Sequence, residues 1–346
     1  MFLKIKTKIE RELKGYIKSL DKAYSLSRVS PLLFKSIKEF LSRRGKRVRP
    51  ILFTIGYLGF SDKAAPGLYR SAVSIELLHD FMLVHDDIID KSDTRRGRPS
   101  MHTMFNRSLK GLKSIKFSGE DLTIVAGDIM FAMALHAFLY IKEEPVRKEK
   151  ALNKLIEAAL YTGSGEFIEL FKGAAGINEV NKNEIYRIYD LKTANYTFAS
   201  PLCIGATLAG ARERETQKLF SYGIRLGRAF QIKDDIIGIF ADERVIGKPN
   251  LTDIKEGKKT ILIWQAYNRS SRSKKLLIKG IFKKNNPGLT DLKNIRKIIE
   301  DTGSLLWAKN EVKKLMRESQ LILESSAMKQ FYKKSLSEFA RETLSI

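Results

Sequence analysis

The chain of 346 residues has a single cysteine, Cys203. That excludes an intrachain disulfide and, with it, a small secreted fold held by cross-links. Proline is scarce, at 8, and both proline and glycine are absent from Leu68–Arg96, from Ile177–Ser200 and from Ser304 onward. No run of alternating β-branched residues bounded by hairpin turns is found, which excludes a β-sandwich or barrel. No apolar run reaches the roughly 18–20 residues that a membrane span needs. The opening stretch MFLKIKTKIERELKGYIKSL is charged every few residues and lacks the apolar core of a signal peptide, so a cytoplasmic chain is expected. Histidine is rare as well, at 4, which leaves little room for chemistry built on histidine clusters.

Charge of one sign is abundant. The chain has 63 Lys plus Arg against 39 Asp plus Glu, a formal net charge of +24. Such an excess suits nucleic acid, an anionic membrane surface or a polyanionic small molecule. Half of it falls from Lys255 onward, much of it in helix-like stretches such as EVKKLMRESQ that read as solvated faces. No metal finger, basic zipper or stacking-aromatic motif accompanies it, so charge alone does not choose among the three. An apolar fraction of 43%, with 19 Phe and 12 Tyr, excludes disorder and is ample for a core.

The long uninterrupted stretches carry apolar residues three and four apart, as in Ala72, Ile75, Leu78 and Met82, which is helical periodicity. Breakers fall between them, at Pro66-Gly67, Arg96-Gly97-Arg98-Pro99, Gly173–Gly176, Gly247–Asn250 and Asn285–Gly288. There is no internal repeat. The expectation is a single all-α domain over residues 1–346, with roughly ten or more helices.

Two acidic clusters stand out. In IELLHDFMLVHDDIIDKSDTRRG an apolar helix ends in Asp86, Asp87 and Asp90. Asp86 and Asp90 share a helical face, with Asp87 about 100° around the axis. Three carboxylates in one turn repel each other, and at a helix C-terminus the macrodipole adds to the cost. A hard dication such as Mg²⁺ removes the conflict, completing its shell with water and phosphate oxygens. About 150 residues later FQIKDDIIGIF carries Asp234 and Asp235, again on an apolar helix. Two such helix ends could hold several metal ions across a cavity. Cations fall in tight groups nearby: Lys46 and Arg49 in GKRVRP, Arg95 and Arg96, Lys192, and then Lys248 and Lys258 in GKPNLTDIKEGKKT. Arginine grips phosphate as a bidentate fork, lysine as a point charge.

Together these segments resemble the trans-type isoprenyl diphosphate synthases of the polyprenyl synthetase family. GKRVRP resembles the family's GGKRxRP, with Arg44 in place of its first Gly. The two acidic segments resemble its first and second aspartate-rich motifs, and DLKTANYTF its Lys-Thr segment. The similarity spans about residues 40–260 in the family's order.

The resemblance implies the isoprenoid synthase fold, an all-α bundle around a deep central cavity, as well as three Mg²⁺ ions and a homodimer. It implies that Asp86, Asp90 and Asp234 bind metal, with Asp87 and Asp235 in support. Lys46, Arg49, His79 and Arg96 would hold isopentenyl diphosphate. Arg95, Lys192 and Lys248 would hold an allylic diphosphate, with Lys258 lining the same mouth. Thr193 and Gln231 would stabilise the developing cation. Phe81 and Met82, the fifth and fourth positions before Asp86, would set the floor of the product cavity; a bulky Phe81 suits short-chain products, geranylgeranyl (C20) or farnesyl (C15) diphosphate.

Two departures from the pattern matter. Gly238 stands where the second motif has its third Asp, with Asp242 as a weak substitute, and Glu166 and Glu169 replace the Gln and Asp of a GQxxD segment. A class I terpene cyclase is one alternative, though it needs neither Lys46 nor Arg49 and carries an Asn/Ser/Glu metal motif instead of FQxxDD. A non-catalytic partner subunit or a basic nucleic-acid binder is another; neither needs to keep such repulsive acid clusters, and no nucleic-acid partner is expected.

Overall fold

A computed structural model describes residues 1–241 and 252–345, which fall into two compact units. The expectation of an all-α fold is met: one short hairpin is the only strand pairing among the described residues.

The first unit comprises Met1–Leu155 and Ile204–Gly210. It contains α1 (Phe2–Tyr24), α2 (Leu26–Val29), α3 (Pro31–Leu41), α4 (Val48–Leu58) and α5 (Leu68–Ile89). The hairpin of β1 (Thr94–Arg95) and β2 (Arg98–Pro99) follows, and then α6 (Met101–Leu109), α7 (Gly119–Phe138) and the start of α8 (Pro145–Ala174). Helix α5 is central, packed against α7, α4 and α1. Every residue from Ser71 to Leu78 is buried, so the stripe of Ala72, Ile75 and Leu78 is only one of its covered faces. Such a helix is apolar nearly all round because it is a core helix.

Helix α7 corrects one expectation. At 20 residues and a mean hydropathy of 1.4 it is long and apolar enough to cross a membrane. Asp128 interrupts its apolar run, which is why the sequence hides this. Here the helix packs on α5 and α6, starts from a Ser118–Asp121 capping box, and buries Met130, Met133, Ala134 and Phe138.

The second unit comprises Ile156–Cys203 and Ala211–Ile346. It holds the remainder of α8, then α9 (Lys182–Tyr189), a π-helical segment Asp190–Ala199, the first four residues of α10 (Ser200–Leu208) and α11 (Glu213–Phe240). Beyond these lie α12 (Thr252–Lys255), α13 (Ile261–Arg269), α14 (Arg272–Phe282), α15 (Leu289–Asp301), α16 (Ser304–Glu324) and α17 (Gln330–Leu344). Helix α11 packs against α16 on one side and the π-helical segment on another. Gly223 and Gly227 make the second contact possible: a Cβ at either would fall 2.4 or 2.3 Å from the Cα of Ala199 or Ala194. Thr193, next to Ala194, is thereby set beside α11, where it bonds Gln231. The wide turns of that segment are of a kind that recurs at functional sites.

Candidate active site

In the first unit, Lys91 at φ 51° ends α5, and the chain reverses in a two-residue hairpin through Arg96 (φ 55°) and Gly97 (φ 71°). Two successive positive φ values define the tight turn whose twist matches the flanking strands. The reversal brings Arg95 and Arg96 back against α5. Arg95 Nε donates to Asp87 Oδ1 at 2.6 Å, and its Nη2 lies 3.4 Å from Asp86 Oδ2. Asp87 is buried, whereas the side chains of Asp86 and Asp90 remain partly open. Burial pushes the Asp87 carboxyl up despite Arg95. The acidic motif therefore divides its labour: Asp87 anchors the hairpin, and Asp86 with Asp90 faces outward from one side of the helix.

Arg49, Arg95, Arg96 and Arg47 all act on His79. Burial first, and then these four guanidinium groups, hold the imidazole well below its ordinary pKa, so it is neutral at physiological pH. Arg96 Nη2 lies 3.4 Å from Asp80 Oδ1, while its buried Nη1 makes no hydrogen bond among the described residues. A buried guanidinium N–H without an acceptor fits an anionic ligand. Lys46 sits exposed in the turn that precedes α4. The structure thus brings His79 near Arg49 and Arg96, two of the cations grouped with it in the sequence, and also near Arg95, which was assigned to the other diphosphate.

Two arginines that the motif reading passed over build this site. Arg47, at φ 53°, is fully buried; it bonds Glu10 at 2.8 Å, Glu76 at 2.7 Å and the carbonyls of Leu41 and Arg43. It fastens the Lys46–Arg49 turn to α1 and α5. Arg43 donates to Arg95 O at 3.2 Å and Pro99 O at 2.8 Å, clamping both hairpin strands, while Glu39 holds its guanidinium. Their neighbours along the chain were the visible signal; their partners, 29–56 residues away, were not.

Phe81 packs against Phe131 of α7 (ring centroids 5.3 Å apart) and against His85 (4.8 Å). The His85 ring occupies space that Gly127 leaves open, which gives this histidine a packing role. Met82 is half-buried.

In the second unit the same division recurs. Asp234 is exposed, and Asp235 is buried and accepts hydrogen bonds from Tyr189 and from Gln231 Nε2, the latter at 3.1 Å. Thr193 Oγ1 donates to Gln231 Oε1 at 2.8 Å, so Thr193, Gln231 and Asp235 form one chain of bonds. Tyr189 closes it, accepting from the Ile261 N–H at 2.9 Å. Burial drives the Asp235 carboxyl well above its ordinary value, and Asp253 and Asp234 push the same way.

Asp253 bears on the Gly238 departure. A Cβ built on Gly238 would lie 2.9 Å from Asp253 Oδ2, so a carboxylate from α12 stands against the position of the missing acid. Lys192 Nζ lies 2.5 Å from both Glu166 and Glu169, which places the two substituted acids on the expected allylic cation. Lys258 lies 2.5 Å from Glu256. Lys248 and Asp242 lie outside the described residues.

The residues fit Mg²⁺. Asp86, Asp90 and Asp234 offer hard oxygen donors, partly exposed at the first two and exposed at the third. Among the described residues no three metal-binding side chains converge. Mg²⁺ typically takes one or two carboxylates and completes its shell from phosphate and water.

Comparison with known proteins places this geometry. Residues 30–300 match the profile of the polyprenyl synthetase family. The chain is 32% identical over 269 residues to the short chain isoprenyl diphosphate synthase of Methanocaldococcus jannaschii, covering 78% of this chain and 73% of that one. The chain belongs to the polyprenyl synthetase family. It is also 32% identical over 272 residues to the geranylgeranyl diphosphate synthase of Sulfolobus acidocaldarius, covering 77% of this chain and 76% of the relative. Its fold matches the crystal structure of geranylgeranyl pyrophosphate synthase from Corynebacterium glutamicum, complexed with isoprenyl diphosphate and magnesium, with a TM-score of 0.87 at 24% identity over 99% and 98% of the two chains. As a polyprenyl synthetase the chain is a trans-prenyltransferase, an isoprenyl diphosphate synthase making short-chain products.

Proposed function

We propose that this polyprenyl synthetase condenses isopentenyl diphosphate with an allylic diphosphate and releases geranylgeranyl diphosphate as its main product. The observation that carries this reading is the group of guanidinium ions around a neutral His79, beside the outward pair Asp86 and Asp90. Isopentenyl diphosphate is held by Lys46, Arg49 and Arg96, with His79 offering an N–H that adds no charge. Lys192, Arg95, Lys258 and Lys248 hold the allylic diphosphate. Asp86 and Asp90 hold Mg²⁺ in the first unit and Asp234 in the second, for a total of three ions. Bound there, the metal supplies Lewis-acid and electrostatic stabilisation of the departing diphosphate.

Ionisation of the allylic C–O bond leaves a carbocation, which the isopentenyl double bond attacks. Thr193 and Gln231 turn their oxygen dipoles toward that charge, held in line by the bonds to Asp235. The proton lost on elimination passes to the released diphosphate, so no protein base is required. Phe81, braced by Phe131, blocks elongation and supports the C20 assignment.

Residues 1–346 act as one domain on this reading, in a homodimer. On α8, Leu160, Phe167, Leu170 and Phe171 are 65, 70, 51 and 74% exposed, an apolar stripe suited to a second copy. The buried single thiol of Cys203 suits a reducing cytoplasm.

Incubation with isopentenyl diphosphate and each of the C5, C10 and C15 primers, followed by product chromatography, tests the proposal. Chain extension that stops at C20 and is abolished by chelation supports it. Products formed from an allylic diphosphate alone, without incorporation of isopentenyl units, would show a terpene cyclase instead.

A further inference from the structure

Beneath the cationic group lies a feature with no place in the mechanism above. Asp80 and Glu76 stand one helical turn apart on α5, 0% and 3% exposed. Two carboxylates buried at this spacing repel each other and are costly unless cations or protons offset them. Arg47 gives Glu76 a close partner at 2.7 Å but lies 3.9 Å from Asp80 Oδ2. That oxygen makes no hydrogen bond among the described residues. The other oxygen of Asp80 faces Arg96 Nη2 at 3.4 Å.

The charged groups acting on Asp80 come from three elements: Glu76 on α5 itself, Arg47 and Arg49 at the start of α4, and Arg96 of the hairpin. Glu10 of α1 draws on Arg47 from the far side. Of this buried pair, Asp80 therefore has the weaker hold on a cation. A diphosphate arriving on Arg96 and Arg49 competes for the same guanidinium groups and adds negative charge beside a buried carboxylate. Proton uptake is the response open to a group that cannot reach water.

We propose that Asp80 is a positioning residue of the isopentenyl diphosphate site: its buried carboxylate seats the Arg96 guanidinium, and diphosphate binding there is balanced by a proton taken up on the Asp80–Glu76 pair. The proposal rests on the assignment of Arg96 and Arg49 to isopentenyl diphosphate. Burial, with Glu76 next, pushes the Asp80 carboxyl up to about 7, which puts the exchange within reach of physiological pH.

The test is titration calorimetry with isopentenyl diphosphate at pH 7.5 in two buffers of unlike ionisation heat, on the wild type and on Asp80→Asn. The amide keeps an oxygen for Arg96 but cannot take the proton. The wild type is expected to take up about half a proton more than the variant, since a group near pH 7 is partly ionised there. Asp80→Ala, which removes the oxygen as well, is expected to raise KM for isopentenyl diphosphate about tenfold and KM for the allylic primer less than twofold, with Asp80→Asn restoring most of the loss.

Equal proton uptake by wild type and Asp80→Asn, or a rise in both KM values together, overturns the proposal. Should Asp80→Ala fail to fold, the comparison of wild type with Asp80→Asn decides alone. A wild type that does not bind isopentenyl diphosphate refutes the functional assignment itself, a result distinct from binding without a difference in protons.

Discussion

The two acidic motifs solve one problem with different chemistry. Each places an outward carboxylate, Asp86 or Asp234, directly before an inward one, Asp87 or Asp235. In the first unit the inward acid is held by a cation, Arg95; in the second it is held by neutral donors, Tyr189 and Gln231. The adjacent aspartates are thus not interchangeable ligands. One faces solvent, where it can meet a metal, and the other fixes the helix end to the segment carrying the cations. The choice of partner sets what each anchor costs to break, because a buried charge pair leaves an unpaired ion when cut, whereas a hydroxyl leaves a lesser gap.

Removing an outward acid should have the largest effect. Asp86→Asn and Asp234→Asn are each expected to lower turnover by roughly a thousandfold, with the melting temperature little changed, since Asp234 is exposed and Asp86 partly so. Steady-state kinetics beside thermal melts check this.

The inward anchors come next and separate the motifs. Arg95→Ala strands the Asp87 carboxylate and should cost about 3–5 kcal/mol of stability. Tyr189→Phe removes one neutral bond to Asp235 and should cost about 1–2 kcal/mol. Denaturant titrations that gave equal losses would erase the distinction.

Phe81→Ala should lengthen the product beyond C20 by opening the space against Phe131, seen as a shift on reversed-phase chromatography. An unchanged product distribution would remove Phe81 from the floor.

The smallest effect concerns Lys192, which Glu166 and Glu169 both claim. Glu166→Gln, which restores the family's amide, should lower KM for the allylic diphosphate by about two- to fivefold, consistent with release of a partly exposed ion pair.

Asp80 adds a pH dependence. Its pKa is about 7, raised from 3.8, so the folded chain binds this proton more tightly than the unfolded one. Stability present near pH 4 is therefore lost as pH rises toward 7, and is level above it. Asp80→Asn should gain on the wild type between pH 4.5 and pH 8 in thermal melts.

Much of this was legible in the sequence. Helical periodicity and the placing of breakers marked the helices, and the family resemblance grouped Arg49, His79 and Arg96, and paired Thr193 with Gln231. Spacing could not show which aspartate of each pair turns inward, because that depends on partners supplied by a hairpin or by another helix. Arg47 reads as one more basic residue until Glu10 and Glu76 close on it from two helices. Tyr189 and Asp253 were invisible for the same reason, and the π-helical turns around Lys192 depend on the close approach that Gly223 and Gly227 allow. The membrane-length character of α7 was masked by Asp128.

The most direct measurement is incorporation of radiolabelled isopentenyl diphosphate into an allylic primer in the presence of Mg²⁺ by the wild type, Asp86→Asn and Asp234→Asn side by side. Label in a C20 diphosphate for the wild type, and near-complete loss in both variants, is the predicted result. Label left in isopentenyl diphosphate by the wild type, or wild-type turnover by either variant, would contradict the assignment of the outward carboxylates to catalysis.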